Sequence, residues 1–149
     1  MNRIIDKVIR QGCKVRQSTY FPESNEKFNL SDILFQHAGY DYETVHYENG
    51  DQYDGEFQDD KRHGQGVHRY KNGDKFDGDW VNDEPHGNGV MYYSNGEKYE
   101  GKWSAGRRNG IGTYKFENGN EYEGCWIKGS KSGKGSTKFA NKEVHIGDY

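Results

Sequence analysis

Between residues 64 and 80 two classes of residue alternate. Gly64, Gly66, His68 and Tyr70, then Phe76, Gly78 and Trp80, take every second place, with Gln65, Arg69, Lys75, Asp77 and Asp79 between them. A period of two predicts strands. Asn72-Gly73, between the two runs, is a strong hairpin signal. Two turn geometries compete. A two-residue turn at Asn72-Gly73 pairs Tyr70 with Lys75 and mixes rings with charges on one face. A three-residue loop, with Gly73 in the left-handed region, pairs Tyr70 with Asp74, His68 with Phe76, Gly66 with Gly78 and Gly64 with Trp80. That register gathers rings and glycines on one face and charges on the other. A slip of one residue would move the whole set across, so the pattern selects the three-residue loop.

The alternation recurs every 23 residues. Phe57, Trp80, Trp103, Trp126 and Tyr149 form one column, and Gly55, Gly78, Gly101, Gly124 and Gly147 another. Asn49, Asn72, Asn95, Asn118 and Asn141 repeat in step, as do the rings Tyr47, Tyr70, Tyr93, Phe116 and Phe139. A repeat of this length signals a stacked array. The predicted fold is mainly β: an elongated antiparallel meander of five hairpins, 41–57, 64–80, 87–103, 110–126 and 133–149, joined by six-residue connections. Ten strands spaced by about 4.8 Å give a sheet roughly 45–50 Å long. Asp41 and Glu43 replace glycines in the first copy, and Lys142 and His145 leave their columns in the last. Atypical end copies are expected of an array. Residues 1–40 lack the repeat and form a partly helical extension. Ile4, Ile5, Val8 and Ile9 make an apolar stripe at helical spacing, and Ser31 caps a second short helix to His37. These segments either cap the first hairpin or dock a partner.

Composition sharpens the picture. Leu, Ile, Val and Phe together make 23 of 149 residues, too few for an aliphatic core, whereas 22 residues are aromatic and 21 are glycine. A ring lying flat on a sheet needs a neighbour with no side chain beneath it, and the paired glycines supply that space. No 18-residue apolar run marks a membrane span, residues 1–20 lack a signal-peptide pattern, and two cysteines, Cys13 and Cys125, make no disulfide framework. A reducing cytoplasm is the expected compartment.

Phe76-x-Gly78-x-Trp80, His86-Gly87-x-Gly89 and Asn95-Gly96, recurring as Tyr99-x-Gly101-x-Trp103, Gly110-x-Gly112 and Asn118-Gly119, resemble the MORN (membrane occupation and recognition nexus) repeats. The resemblance covers residues 41–149. It implies an elongated β-meander without catalytic residues of its own, in a cytoskeletal, ciliary or membrane-junction scaffold. Some members are accessory modules of a kinase or methyltransferase, here on a separate chain.

Candidate chemistry dissolves into the repeat. The stretch 129–136 has the composition of a phosphate loop without its spacing. The aspartates at 74–83 lack the order of a calcium loop, and His63 and His86 stand one repeat apart, too far to share a metal. No catalytic residue, cofactor or metal is expected. Charge is the one property that does not repeat: residues 1–20 carry +4, residues 41–97 carry −9 and residues 98–149 carry +4. The expected function is a non-enzymatic scaffold that binds proteins in a cytoskeletal, ciliary or axonemal complex. Its candidate protein-binding residues are the exposed rings Tyr70, Trp80, Tyr93, Trp103, Phe116 and Trp126, with His145 and Tyr149 on an open edge strand suited to a homodimer. The alternative is a peripheral phospholipid-binding module that contacts anionic membranes through Arg107, Arg108, Lys128, Lys131 and Lys134. Overall charge of −3 does not suit a nucleic-acid binder.

Overall fold

The computed structural model describes residues 40–149. The expected helices of the N-terminal extension lie outside them. Ten strands form one open antiparallel sheet in chain order: β1 (Asp41–His46), β2 (Gln52–Gln58), β3 (Lys61–Arg69), β4 (Lys75–Val81), β5 (Glu84–Tyr92), β6 (Lys98–Ser104), β7 (Arg107–Lys115), β8 (Glu121–Ile127), β9 (Ser130–Lys138) and β10 (Val144–Asp148). The described residues contain no helix.

The register is the one a three-residue loop demands. Gly64 faces Trp80, Gly66 faces Gly78 and His68 faces Phe76. Tyr70 N–H donates to Asp74 O at 2.9 Å, and Gly73 sits at φ +93°. The repeated asparagine explains the loop's uniformity: Asn72 Oδ1 accepts from Asp74 N–H at 3.0 Å, and Asn49, Asn95, Asn118 and Asn141 do the same in their own loops. The side chain closes an Asx-type turn that the backbone alone would leave open.

The connections differ from expectation. In place of six loose residues, the strands continue to two-residue turns at Asp59-Asp60, Asn82-Asp83, Ala105-Gly106 and Lys128-Gly129, all at positive φ. This is the turn whose twist matches paired strands. The surplus residues are absorbed by a bulge. After Gly55 faces Gly66, the next facing pair is Phe57 and Arg62, so Glu56 stands against three residues. Gly64 lies in that bulge at φ +61°, where a side chain would be strained. Glu56 and, one repeat on, Asp79 hold the bulges by accepting from the N–H groups of Gln65 and Asn88.

Both rims are stitched between neighbouring hairpins. On the loop rim Lys71, Ser94 and Ala140 donate backbone N–H groups to the side chains of Asp51, Asp74 and Asn120. On the turn rim Asp83, Gly106 and Gly129 donate to the carbonyls of Arg62, Pro85 and Arg108. Each unit is therefore tied to its neighbours, as in other quasi-one-dimensional arrays.

Candidate interaction surface

One glycine row crosses the sheet from Gly55 through Gly66, Gly78, Gly89, Gly101, Gly112, Gly124 and Gly135 to Gly147, each facing the next. Rings lie over this row. A Cβ placed on Gly112 would stand 2.6 Å from Tyr99 Cε2, inside van der Waals contact. Tyr53, Phe76, Tyr99 and Tyr122 are fully buried there, although each has only the sheet beneath it. Three of the hydroxyls turn back to their own strand: Tyr53, Tyr99 and Tyr122 donate to the carbonyls of Glu56, Lys102 and Cys125. Burial pushes the phenol of Tyr99 up to about 12, so it remains a donor at neutral pH.

The tryptophans complete the layer. Trp80, Trp103 and Trp126 are buried, with 1%, 6% and 4% of their surface exposed. This corrects the expectation that they are exposed rings open to a partner. Each stands edge-on to the flat rings on both sides, with Tyr53–Trp80, Phe76–Trp103 and Tyr99–Trp126 centroids 5.3, 5.1 and 5.2 Å apart and planes at 80–82°. Their indole N–H groups donate to the carbonyls of Gly66, Gly89 and Gly112. Edge-to-face geometry places the positive ring edge on the negative face of its neighbour. The physical reason for burial is this interlocking: each tryptophan closes over the preceding hairpin.

Along the loop rim of the buried layer runs a row of partly exposed rings, Tyr47, Tyr70, Tyr93 and Phe116, packed against it. Tyr149 is 40% exposed, and its ring meets Tyr122 edge-on at 4.7 Å. His145 is exposed on β10.

Cations sit on the same face. Arg62 lies 4.4 Å from the Trp80 ring and Arg108 lies 4.3 Å from that of Trp126. Each also donates to the carbonyl of the following turn, Arg62 to Asp83 and Arg108 to Gly129. Lys131 Nζ is 4.3 Å from the Tyr122 ring, and burial lowers its pKa. Of the five residues expected to face an anionic surface, Arg108 and Lys131 thus turn onto rings, whereas Arg107, Lys128 and Lys134 are exposed. Sequence reasoning missed Arg62, although Arg62, Arg108 and Lys131 fall in one column of the 23-residue repeat, with Pro85 between the first two.

It also missed a buried polar chain. His68 is 3% exposed, with Nε2 3.1 Å from Asp51 Oδ2 and Nδ1 2.9 Å from Arg62 Nη1. Since Arg62 can only donate, Nδ1 accepts and Nε2 carries the proton toward Asp51. Burial, against the Asp51 hydrogen bond, holds the His68 pKa below its usual range. The backbone N–H of Lys71, then the His68 hydrogen bond, holds Asp51 below the usual carboxylate range. These groups wall a cleft of about 350 Å³ with Tyr47, Tyr70, Trp80, Asp83 and Pro85.

The opposite face does not repeat its chemistry. Arg69 pairs with Asp54 at 2.6 Å and Lys98 with Glu100 at 2.8 Å, while Ile111 and Ile127 are 68% and 56% exposed. Among the described residues no group of three or more His, Cys, Asp or Glu side chains converges as a metal site would require.

No curated protein matches the chain in sequence. Among solved structures, the TCP domain of SAS-4 (dCPAP) of Drosophila melanogaster, in complex with a proline-rich motif of Ana2 (dSTIL), aligns over 91% of this chain and 99% of that chain. The identity is 10% and the TM-score 0.24, too low to bear on fold or partners. Residues 53–75, 76–98, 99–121 and 122–144 each match the MORN repeat. Four consecutive matches, in step with the glycine row and the ring ladder, make this chain a member of the MORN repeat family.

Proposed function

We propose that this protein is a non-enzymatic scaffold whose ring face holds other proteins in a cytoplasmic assembly of the cytoskeleton, specifically a ciliary or axonemal complex. The observation that carries the reading is the row Tyr47, Tyr70, Tyr93 and Phe116, partly exposed and packed against the buried ladder. Rings half out of water and backed by a rigid layer are the usual anchors of protein interfaces. The repeat presents the same surface several times, which suits assembly, whereas catalysis needs one unlike place. The family also supports a non-catalytic role. The cytoskeletal setting extends the family resemblance.

The β10 edge gives the scaffold a second contact. Val144 and Ile146 are 58% and 77% exposed there, and an open edge pairs readily with a second copy. Adhesion to anionic lipid has thinner support, because Arg108 and Lys131 are turned onto rings.

Native purification of the full chain, with mass spectrometry and light scattering, tests the reading. Tyr93→Glu and Phe116→Glu are expected to release the bound proteins, and Glu123→Lys on the opposite face to retain them. Bound proteins indifferent to both ring-face changes would overturn it, and a monomer mass independent of concentration removes the β10 dimer.

A further inference from the structure

The partly exposed rings stand at a fixed interval. Tyr47, Tyr70, Tyr93 and Phe116 each open the loop of one hairpin, donating a backbone N–H across it to the carbonyl of Asp51, Asp74, Glu97 and Asn120. Successive rings are therefore two strands apart, about 9.6 Å along the sheet. The buried ladder agrees: Trp80 stands 5.3 Å from Tyr53 and 5.2 Å from Phe76, so one repeat cannot exceed those two steps together. A chain laid across the strands meets this row in step only if its own period matches. A polyproline II helix has three residues per turn and advances about 9.3 Å per turn, so over three intervals its drift is only about 1 Å. An α-helix returns the same face after seven residues, about 10.5 Å, and drifts about 3 Å over the same length. A β-strand presents the same side about every 6.8 Å and is out of step at the second ring.

The rings also carry donors to spare. The hydroxyls of Tyr53, Tyr99 and Tyr122 are tied to their own strands, whereas those of Tyr47, Tyr70 and Tyr93 donate to no described residue. Burial raises the pKa of these three phenols, so they keep their protons at neutral pH. Between the first two rings there is room for a side chain: the cleft of about 350 Å³ is lined by Tyr47 and Tyr70 together with Trp80 and Pro85. The loops beside the row carry Glu48, Asp51, Asp74, Glu97 and Glu117 against one base, Lys71.

We propose that the row from Tyr47 to Phe116 binds a proline-rich, basic segment of a partner protein, laid across the strands as a polyproline II helix. The proposal rests on the reading that the ring face receives proteins, and it names the class of segment received. One proline per turn packs against each ring, as in other aromatic grooves that take this helix. The helix has no internal hydrogen bonds, so its carbonyls are free to accept from the tyrosine hydroxyls. Because it is extended before it binds, little conformational entropy is lost on docking. The acidic loops select basic residues over acidic ones between the prolines and steer the segment to the row.

A synthetic peptide of four Pro-Pro-Lys triplets, titrated into the full chain by calorimetry, tests the row. It is expected to bind, and a Gly-Gly-Lys peptide of equal length and charge to bind about tenfold more weakly. A Pro-Pro-Glu peptide, repelled by the acidic loops, is expected not to bind. Changing Tyr47, Tyr70 and Tyr93 together to Phe keeps every ring, removes only the hydroxyls, and should weaken binding about tenfold. Tyr70→Ala opens the row in its middle and should cost about tenfold. Ile111→Ser on the opposite face should stay within about twofold. Absence of Pro-Pro-Lys binding overturns the proposal, as does equal affinity for Gly-Gly-Lys or for Pro-Pro-Glu. So does unchanged affinity in the triple Phe chain at unaltered circular dichroism, or an equal loss in Ile111→Ser. The two readings fail separately. No Pro-Pro-Lys binding while Tyr93→Glu still releases native partners leaves the scaffold and removes the proline-rich segment. Pro-Pro-Lys binding while Tyr93→Glu releases nothing does the reverse.

Discussion

The two faces of this single sheet are made by the same strands, yet they obey different rules. On the ring face nearly every position repeats, because each side chain fills a gap left by the hairpin before it. Tyr99 lies over Gly101 and Gly112, and Trp126 closes edge-on against Tyr99. On the other face side chains such as Ile111 and Ile127 stand exposed. There the chain carries Arg69 against Asp54 in one place and a bare Ile111 beside Cys125 in another. The difference teaches that this fold uses a one-sided core. Periodicity is kept where burial demands it and is free to drift where it does not.

Substitutions on matched positions sharpen the contrast. Gly112→Val puts branched carbon into the space under the Tyr99 ring. It is expected to cost about 3 kcal/mol or more, read as a lowered denaturation midpoint. A midpoint within experimental error of the wild type would show that the ring tilts away freely and that the one-sided core is loosely packed.

A smaller effect separates the first junction of the ring face from the later ones. The His68 pKa is held below 6.5 in the folded chain, so the unfolded chain takes up the proton first as pH falls. Stability from a neutral His68 is complete above about 6.5 and is lost progressively below it. Asp51, Asp74 and Glu97 have lowered pKa values and lose their contribution only as pH falls through the more acidic carboxylate range. Thermal midpoints measured between pH 7.5 and 5.5 therefore isolate the histidine. His68→Met, the residue of the next unit, should flatten the slope, and an unaltered slope would place the titrating group elsewhere. The smallest change is expected on the opposite face. Ile111→Ser at an exposed site should move stability by less than about 0.5 kcal/mol, and a larger loss by calorimetry would mean that this face is covered.

Much of the fold was legible because backbone period and side-chain period coincide. Tyr70 opposite Asp74 follows from keeping rings and charges on separate faces, and the asparagine column marks each loop. The connections were less legible. Asp59-Asp60 and Lys128-Gly129 are acceptable at positive φ, but nothing local announced the bulge at Gly64 that lets a two-residue turn replace a six-residue loop. The candidate surface was only half read. Tyr70, Tyr93 and Phe116 are partly exposed, whereas the tryptophans are buried by rings that stand 27 residues away in the preceding hairpin. Arg62 and His68 escaped notice because alternation places a side chain on a face without saying what lies across from it.

The order of residues by itself determined the unit: the strand pairs, the loop register, the glycine row and the number of hairpins. These follow from a two-residue period and a 23-residue repeat, both written along one dimension. Only the stacked sheet decided which rings close over their neighbours and which stay open to solvent. It also decided which cations lie on rings. Those outcomes depend on contacts between successive units, where the edge of one ring meets the face of another across strands that the linear order keeps apart.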